Sequence, residues 1–329
     1  MKLLLLNHAE VGQLLTMPEC IGVMEEALAS LARDEVHQPL RTIIKPNSVR
    51  GVMALMPAFR GGDKAMFGLK AICVFPGNAG IGKDAHQGGV LLFSGQTGEL
   101  LAVVNASAIT AIRTAAVSAA ATKLLAREDA GELAIIGAGV QARSHLEAIA
   151  CVRSLKRVRI AARRVENAAA LAAVMQPRFS FPVVPVQDAE TAARDADIIV
   201  TATTSREPVL RRDWILPGAH INAVGTYAPT AREIDTATMA EGLLFVDRRE
   251  SALNEAGDYL IAAQEGAIGP DHIRGELGEI LIGACPGRTS PEEITIFKSL
   301  GLAIEDLAAA AHTYQKARDK SQGRWVEFD

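Results

Sequence analysis

IIGAGVQARSHL, residues 135–146, sets Gly137, Gly139 and Ala142 directly behind a short apolar run. This is the GxGxx(G/A) spacing of a turn that receives a dinucleotide pyrophosphate. The first glycine permits a tight turn, the second lets the backbone approach the anion, and the third small residue lets the following helix pack closely. The spacing alone is weak, but its context is the one such a turn requires. LAII precedes it as a strand, a helical pattern follows, and RVRIA arrives about twenty residues on as a second strand.

Outward from this turn, the runs LAII, RVRIA, VVPV, DIIVTA, HINAVG and LLFVD alternate with segments such as VENAAALAAVM and DAETAARDA. The apolar spacing of the latter suits amphipathic helices. The alternation predicts a parallel sheet covered on both faces, a Rossmann-type doubly wound α/β fold. The first 105 residues differ. MPECIGVMEEALASLARDE reads as a helix with Pro18 in its first turn, PLRTIIKP, GVMALMP and FGLKAICVFP as extended runs, and VLLFSGQTGELLAVVN as a hairpin. These predict a mainly antiparallel α+β unit. One long helix, 107–126, leads into the second unit, and a closing helix over 301–319 folds back on the first. The expected domains are therefore 1–115 with 305–329, and 116–304.

With 329 residues, 49% hydrophobic and 22% charged, the chain can bury two cores. A net charge of −4 leaves no basic field, so nucleic acid is not an expected partner. Cys20, Cys73, Cys151 and Cys285 form no CxxC pair and no Cys/His cluster, which predicts reduced thiols and no metal site. MKLLLL is too short for a signal peptide or a membrane span, so a cytoplasmic location without a membrane partner is expected.

The choice of dinucleotide depends on the end of the second strand, where an NAD-selective site places Asp or Glu on the ribose 2′-hydroxyl. Here VRIAARRVEN offers Ala161, Ala162, Arg163 and Arg164. A guanidinium fork in place of a carboxylate suits a 2′-phosphate, so NADP(H) is the expected cofactor and NAD(H) the alternative. Ligands lie beyond the carboxyl ends of parallel strands. Thr203, Val224 and Gly225 are thus expected against the cofactor, with Tyr227 beside the substrate.

No Ser-His-Asp order or HExxH motif occurs, and of the scattered histidines only His86, in DAHQGGV, lies in a glycine-rich loop. Three cations are more telling. Arg41 and Lys70 fall on expected strands and Arg113 early in an apolar helix. Buried charges need partners. The sequence around them is poor in Asp and Glu, so a ligand carboxylate is the expected partner, with cofactor phosphates as an alternative for Arg113.

FGLKAICVFPGN, TGELLAVVNASAITAIRTAAVSAAATKLLA, IIGAGVQA, HINAVG and EEITIFKSLGLAIEDLA, in collinear order over nearly the whole chain, resemble the ornithine cyclodeaminase and mu-crystallin family. The resemblance implies a homodimer built through the first domain, and a Rossmann domain for NAD(P)(H). It implies a substrate carboxylate held by Arg41, Lys70 and Arg113. Its cofactor contacts carry onto Arg113, Thr114, Val140, Gln141 and Ser299.

Cyclodeaminases resembling this chain have Asp shortly after the NAVG glycine, where this chain has Tyr227. A neutral phenol with a reference pKa near ~10 is a poor base. Ala85 stands where members often carry Ser or Thr. The expected activity is hydride transfer from NADPH to the C=N carbon of an α-imino acid, an imine or ketimine reductase. Lys70 is the expected proton donor, its pKa lowered by the neighbouring cations. The alternatives are an ornithine cyclodeaminase or alanine-type dehydrogenase, and a non-catalytic NADPH-binding, crystallin-like protein.

Overall fold

The computed structural model describes residues 2–62 and 65–328. They form two compact units, Met1–Arg113 with Gly301–Asp329, and Thr114–Leu300. The division falls inside the long helix Ala106–Leu125. That helix is long and apolar enough to cross a membrane, but 78% of its apolar window is buried in the protein, as in a core helix.

In the first unit the strands run in the order Arg324–Glu327, Lys2–Leu6, Leu100–Asn105, His86–Ser94, Met66–Val74, Val52–Arg60 and Val36–His37, with Thr42–Ile44 beside Val52–Arg60. Every pairing is antiparallel except Lys2–Leu6 with Leu100–Asn105. The expected hairpin forms, with Leu92 opposite Ala102 and a turn in which the Ser94 hydroxyl accepts from the Gln96 and Thr97 amides. Arg41 departs from expectation. It lies just before the short, exposed strand Thr42–Ile44, because only three residues of PLRTIIKP pair with a neighbour.

One face of this sheet is covered. Met56, Lys70, Val90 and Val104 lie in register across four strands and are all buried, the period-two signature of a packed face. The cover is helix Ala303–Asp319, which packs on three of these strands and on helix Met17–Ala32. At Gly68 a Cβ would lie 2.8 Å from Leu307 Cδ1, so its absence brings helix and sheet close. Lys70 is therefore a charge placed on the inner face.

The second unit is an all-parallel sheet in the order Val183–Pro185, Arg157–Ala161, Glu132–Ile136, Ile198–Thr201, His220–Ala223, Thr295–Lys298, Leu243–Val246, Ile273–Glu276. Apolar clusters cover both faces, one with Leu146, Ile149 and Ala168, the other with Leu210, Ile234 and Met239. The strand order reverses at Glu132–Ile136, the place where a doubly wound sheet opens a ligand crevice. Six of these strands are the expected ones. Ile273–Glu276 and Thr295–Lys298 are additional, and the latter is inserted between two expected neighbours. IRGE has a single aliphatic residue, and TIFK ends in a charge that its pairing with Asp258 and its hydrogen bond to the Thr226 carbonyl allow to be buried, so neither shows an apolar run.

Candidate active site

In the first unit, Lys70 and Arg113 meet the first turn of the closing helix, and Arg41 meets Gly301 just ahead of it. Lys70 is 4% exposed, and its Nζ lies 2.6 Å from Asp306 Oδ2. Arg113, also 4% exposed, donates from Nε to Asp306 Oδ1 at 2.9 Å and from Nη1 to Glu305 Oε2 at 2.7 Å. Half-buried Arg41 donates from Nη2 to the Gly301 carbonyl at 2.9 Å. Gly301 has φ +79, and a Cβ there would lie 2.5 Å from Arg113 Nη1. Only glycine both adopts this conformation without strain and leaves the guanidinium its space.

This corrects the reading that these cations lack protein carboxylates. Glu305 and Asp306 are distant in sequence and adjacent in the fold, so local composition could not show them. The lowering of Lys70 also has a different leading cause. Burial pushes it down to about 8, Asp306 opposes this, and Arg113 and Arg41 add to it. For Asp306, burial acts to raise the pKa, but Arg113 and Lys70 outweigh it and hold the carboxyl below its usual range. Half-buried His86 is shifted down by burial first and then by Lys70 and Arg113, so it is neutral at pH 7.

In the second unit, Gly137 has φ +131, and a Cβ on it would meet the Ala202 carbonyl at 2.4 Å. Around Gly139 nothing lies within 4 Å of where a Cβ would be, so the backbone there is open to a ligand. Helix Val140–Val152 starts from Gly139 with no side chain capping its amides, and Ala142 is fully buried beneath it. These are the features a pyrophosphate needs: uncapped N–H groups, the positive end of the helix dipole and no Cβ in the way.

Ile136, Thr201, Ala223 and Lys298 lie in register across four neighbouring strands. Gly137, Thr203, Val224, Gly225 and Ser299 therefore all leave the sheet at its carboxyl edge. The hydroxyls of Ser299 and Thr114 are buried without a hydrogen-bond partner, as expected of groups that await a polar ligand. Gln141 is half-buried, Ala162 is half-buried and Arg163 exposed just beyond strand Arg157–Ala161, and Tyr227 is 44% exposed. The residues present fit a dinucleotide.

Three further buried groups escaped the sequence reading. Glu233 and the Asp258–Lys298 ion pair, 2.8 Å, sit behind the carboxyl edge of the sheet. His145, fully buried, lies 2.7 Å from the Gln141 carbonyl through Nδ1 and 2.9 Å from Ser118 Oγ through Nε2. Burial lowers its pKa to about 4, so it is a neutral link behind the glycine turn.

The model of the ornithine cyclodeaminase/mu-crystallin family matches residues 1–321. The chain belongs to that family. A Delta(1)-pyrroline-2-carboxylate reductase of Bacillus cereus is 38% identical over 327 residues, covering 99% of this chain and 100% of the relative. The ketimine reductase mu-crystallin of Mus musculus is 41% identical over 311 residues, 94% of this chain and 93% of the relative. The structure of Thermococcus litoralis Delta(1)-pyrroline-2-carboxylate reductase in complex with NADH and L-proline superposes with a TM-score of 0.95 at 39% identity, covering 98% of this chain and 99% of that one.

Proposed function

We infer that this protein is an NAD(P)H-dependent oxidoreductase that reduces the C=N bond of an α-imino acid to the α-amino acid, with a cyclic ketimine carboxylate of the Δ1-pyrroline-2-carboxylate kind as substrate. The observation that carries the reading is the convergence of Arg41, Lys70 and Arg113 on residues 301–306, where the closing helix begins. Glu305 and Asp306 offset two of the three cations, and the positive charge that is left suits a substrate carboxylate. The pyrroline-2-carboxylate and ketimine reductases among its relatives support the ring.

Bound NAD(P)H supplies a hydride to the C=N carbon. Arg41 and Arg113 fix the carboxylate, and with it the reacting carbon, in a near-attack position. Lys70 gives a proton to the imine nitrogen. An ammonium has three N–H donors, of which Asp306 takes one. Its pKa of about 8 keeps it protonated at neutral pH and yet acidic enough to donate. Tyr227 offers no carboxylate for the amine protons of a cyclodeaminase. The test is NADPH oxidation with preformed Δ1-pyrroline-2-carboxylate, beside 2-oxo acids with ammonia or methylamine and L-ornithine with catalytic NAD. Rapid turnover of the cyclic imine is expected; ammonia release from ornithine without net NADH would replace this reading by cyclodeamination.

For the cofactor we propose a preference for NADPH, supported by exposed Arg163 and the absence of a carboxylate over Ala161–Arg164. Arg163→Asp is expected to lower the ratio of kcat/KM for NADPH over NADH by about 10–100-fold, the value of one or two charge-assisted hydrogen bonds. A wild-type enzyme that already prefers NADH would sink the 2′-phosphate argument.

We also propose a homodimer. The sheet face opposite helix Ala303–Asp319 carries Leu55, Phe59, Phe67, Leu69, Leu91 and Phe93, all half-buried or exposed, with Phe67 47% exposed. A continuous apolar face of this kind calls for cover, and a second copy supplies it by two-fold symmetry. Light scattering should give two chains per particle, and Phe67→Arg should shift the mass to one; a wild-type monomer refutes the dimer.

A further inference from the structure

We propose that Glu233 is a positioning residue for the dinucleotide, fixing through one carboxylate the two strand-end loops on the nicotinamide side of the sheet. The inference rests on the dinucleotide reading of the Gly137–Gly139 turn. In a doubly wound sheet the strands on one side of the switch point serve the adenine half of the ligand and those on the other the nicotinamide half. Arg157–Ala161 and Val183–Pro185 lie on the first side, Ile198–Thr201 and His220–Ala223 on the second.

Glu233 lies in the connection that follows His220–Ala223, eight residues beyond Gly225, and its carboxylate ties the start of that connection to the loop after Ile198–Thr201. Oε1 accepts from the Thr203 amide and the Thr203 hydroxyl, both at 2.7 Å. Oε2 accepts from the Gly225 amide at 2.6 Å and the Thr201 hydroxyl at 2.9 Å. Four donors thus converge on one fully buried carboxylate. The loops are also in contact at Gly225, where a Cβ would lie 2.3 Å from the Thr203 carbonyl and 2.4 Å from Glu233 Oε1.

Glu233 is itself held from behind. Asp258 Oδ1 accepts from the Glu233 and Ile234 amides at 2.7 and 3.1 Å. Asp258 Oδ2 meets Lys298 Nζ at 2.8 Å and accepts from the Thr226 hydroxyl at 3.0 Å. Lys298 also donates to the Thr226 carbonyl at 2.8 Å. Glu233 is thus anchored at its own amide as well as at both carboxylate oxygens.

The chemistry requires an acid here. Each oxygen faces a backbone N–H, so an amide in its place would set its NH2 against either Thr203 N or Gly225 N. Glu233→Gln should therefore release one loop without removing any group that would touch the dinucleotide. In fluorescence titrations of the full-length protein, the Kd for NADPH and NADH should rise about 10-fold or more, one hydrogen bond to a charged group. At saturating dinucleotide, KM for Δ1-pyrroline-2-carboxylate should change less than the Kd for the dinucleotide, because Arg41, Lys70 and Arg113 are untouched and of the substrate residues only Tyr227 shares a held loop.

If Glu233→Gln does not fold, Glu233→Asp serves, since it keeps the charge and withdraws it by one methylene; the same rise in Kd, larger than any change in KM, is expected. Wild-type protein that binds neither NADPH nor NADH would overturn the function proposed above. Wild-type protein that binds them, with a Kd in the folded variant within twofold, would overturn the role of Glu233 alone.

Discussion

Replacing Lys70 by Met is expected to lower the single-turnover rate of imine reduction by about 10²–10⁴-fold, the range set by loss of a positioned general acid. The charge also neutralises Asp306, which keeps Arg113 as a partner when Lys70 is replaced, and Met suits the row of buried apolar neighbours Met56, Val90 and Val104. The sign of the pH dependence follows from its pKa of about 8. The protonated form is the active one, so wild-type kcat/KM should be level below that pH and fall above it. The Met variant should lack this limb and retain wild-type affinity for the dinucleotide, since the glycine turn belongs to the other unit. Equal single-turnover rates in the two proteins would remove Lys70 from the mechanism.

Asp306→Asn should be the most destabilising conservative change in the first unit. Asp306 bridges Lys70 and Arg113 from a position 1% exposed. Breaking a buried pair by neutralising one partner leaves an uncompensated charge and costs about 3–5 kcal/mol. Because the folded-state pKa of Asp306 is depressed, the stability it contributes is present above the ordinary carboxylate pKa. It is lost as pH falls through the folded value, so the gap between wild type and variant should close in acid. Activity gives the second readout. Asp306 opposes the burial that lowers Lys70, so without its charge the alkaline limb should move to lower pH. Denaturant unfolding and a pH–rate profile measure both; a limb that stays in place would show that Asp306 does not set the protonation of Lys70.

Much of the fold is legible in the sequence because it depends on local pattern. The glycine turn, the hairpin and six parallel strands follow from spacing and periodicity within windows of about ten residues. What escapes is non-local. Thr295–Lys298 is a four-residue strand whose lysine is neutralised by Asp258, and its place between His220–Ala223 and Leu243–Val246 is a property of topology. The site divides in the same way. Arg41, Lys70 and Arg113 stand out as charges in apolar surroundings, but Asp306 lies 193 residues from Arg113, and IED at the start of a helix reads as ordinary first-turn acids. Glu233 lies in a loop, and only the convergence of four donors gives it meaning.

The closing helix also fixes when the protein can be finished. The first strand, Lys2–Leu6, pairs with Arg324–Glu327, and the sheet is covered by Ala303–Asp319. During synthesis, Lys70 and Arg113 emerge long before Glu305 and Asp306, so a nascent chain holds its cations without counter-charges and its apolar sheet face without cover. The second unit, too, lacks an interior strand until Thr295–Lys298 has been made. The second unit cannot complete itself before Thr295–Lys298 has been made, nor the first before Ala303–Asp319. A ribosome that stalls before Thr295 leaves a chain with two open sheets, a substrate for chaperones and proteases.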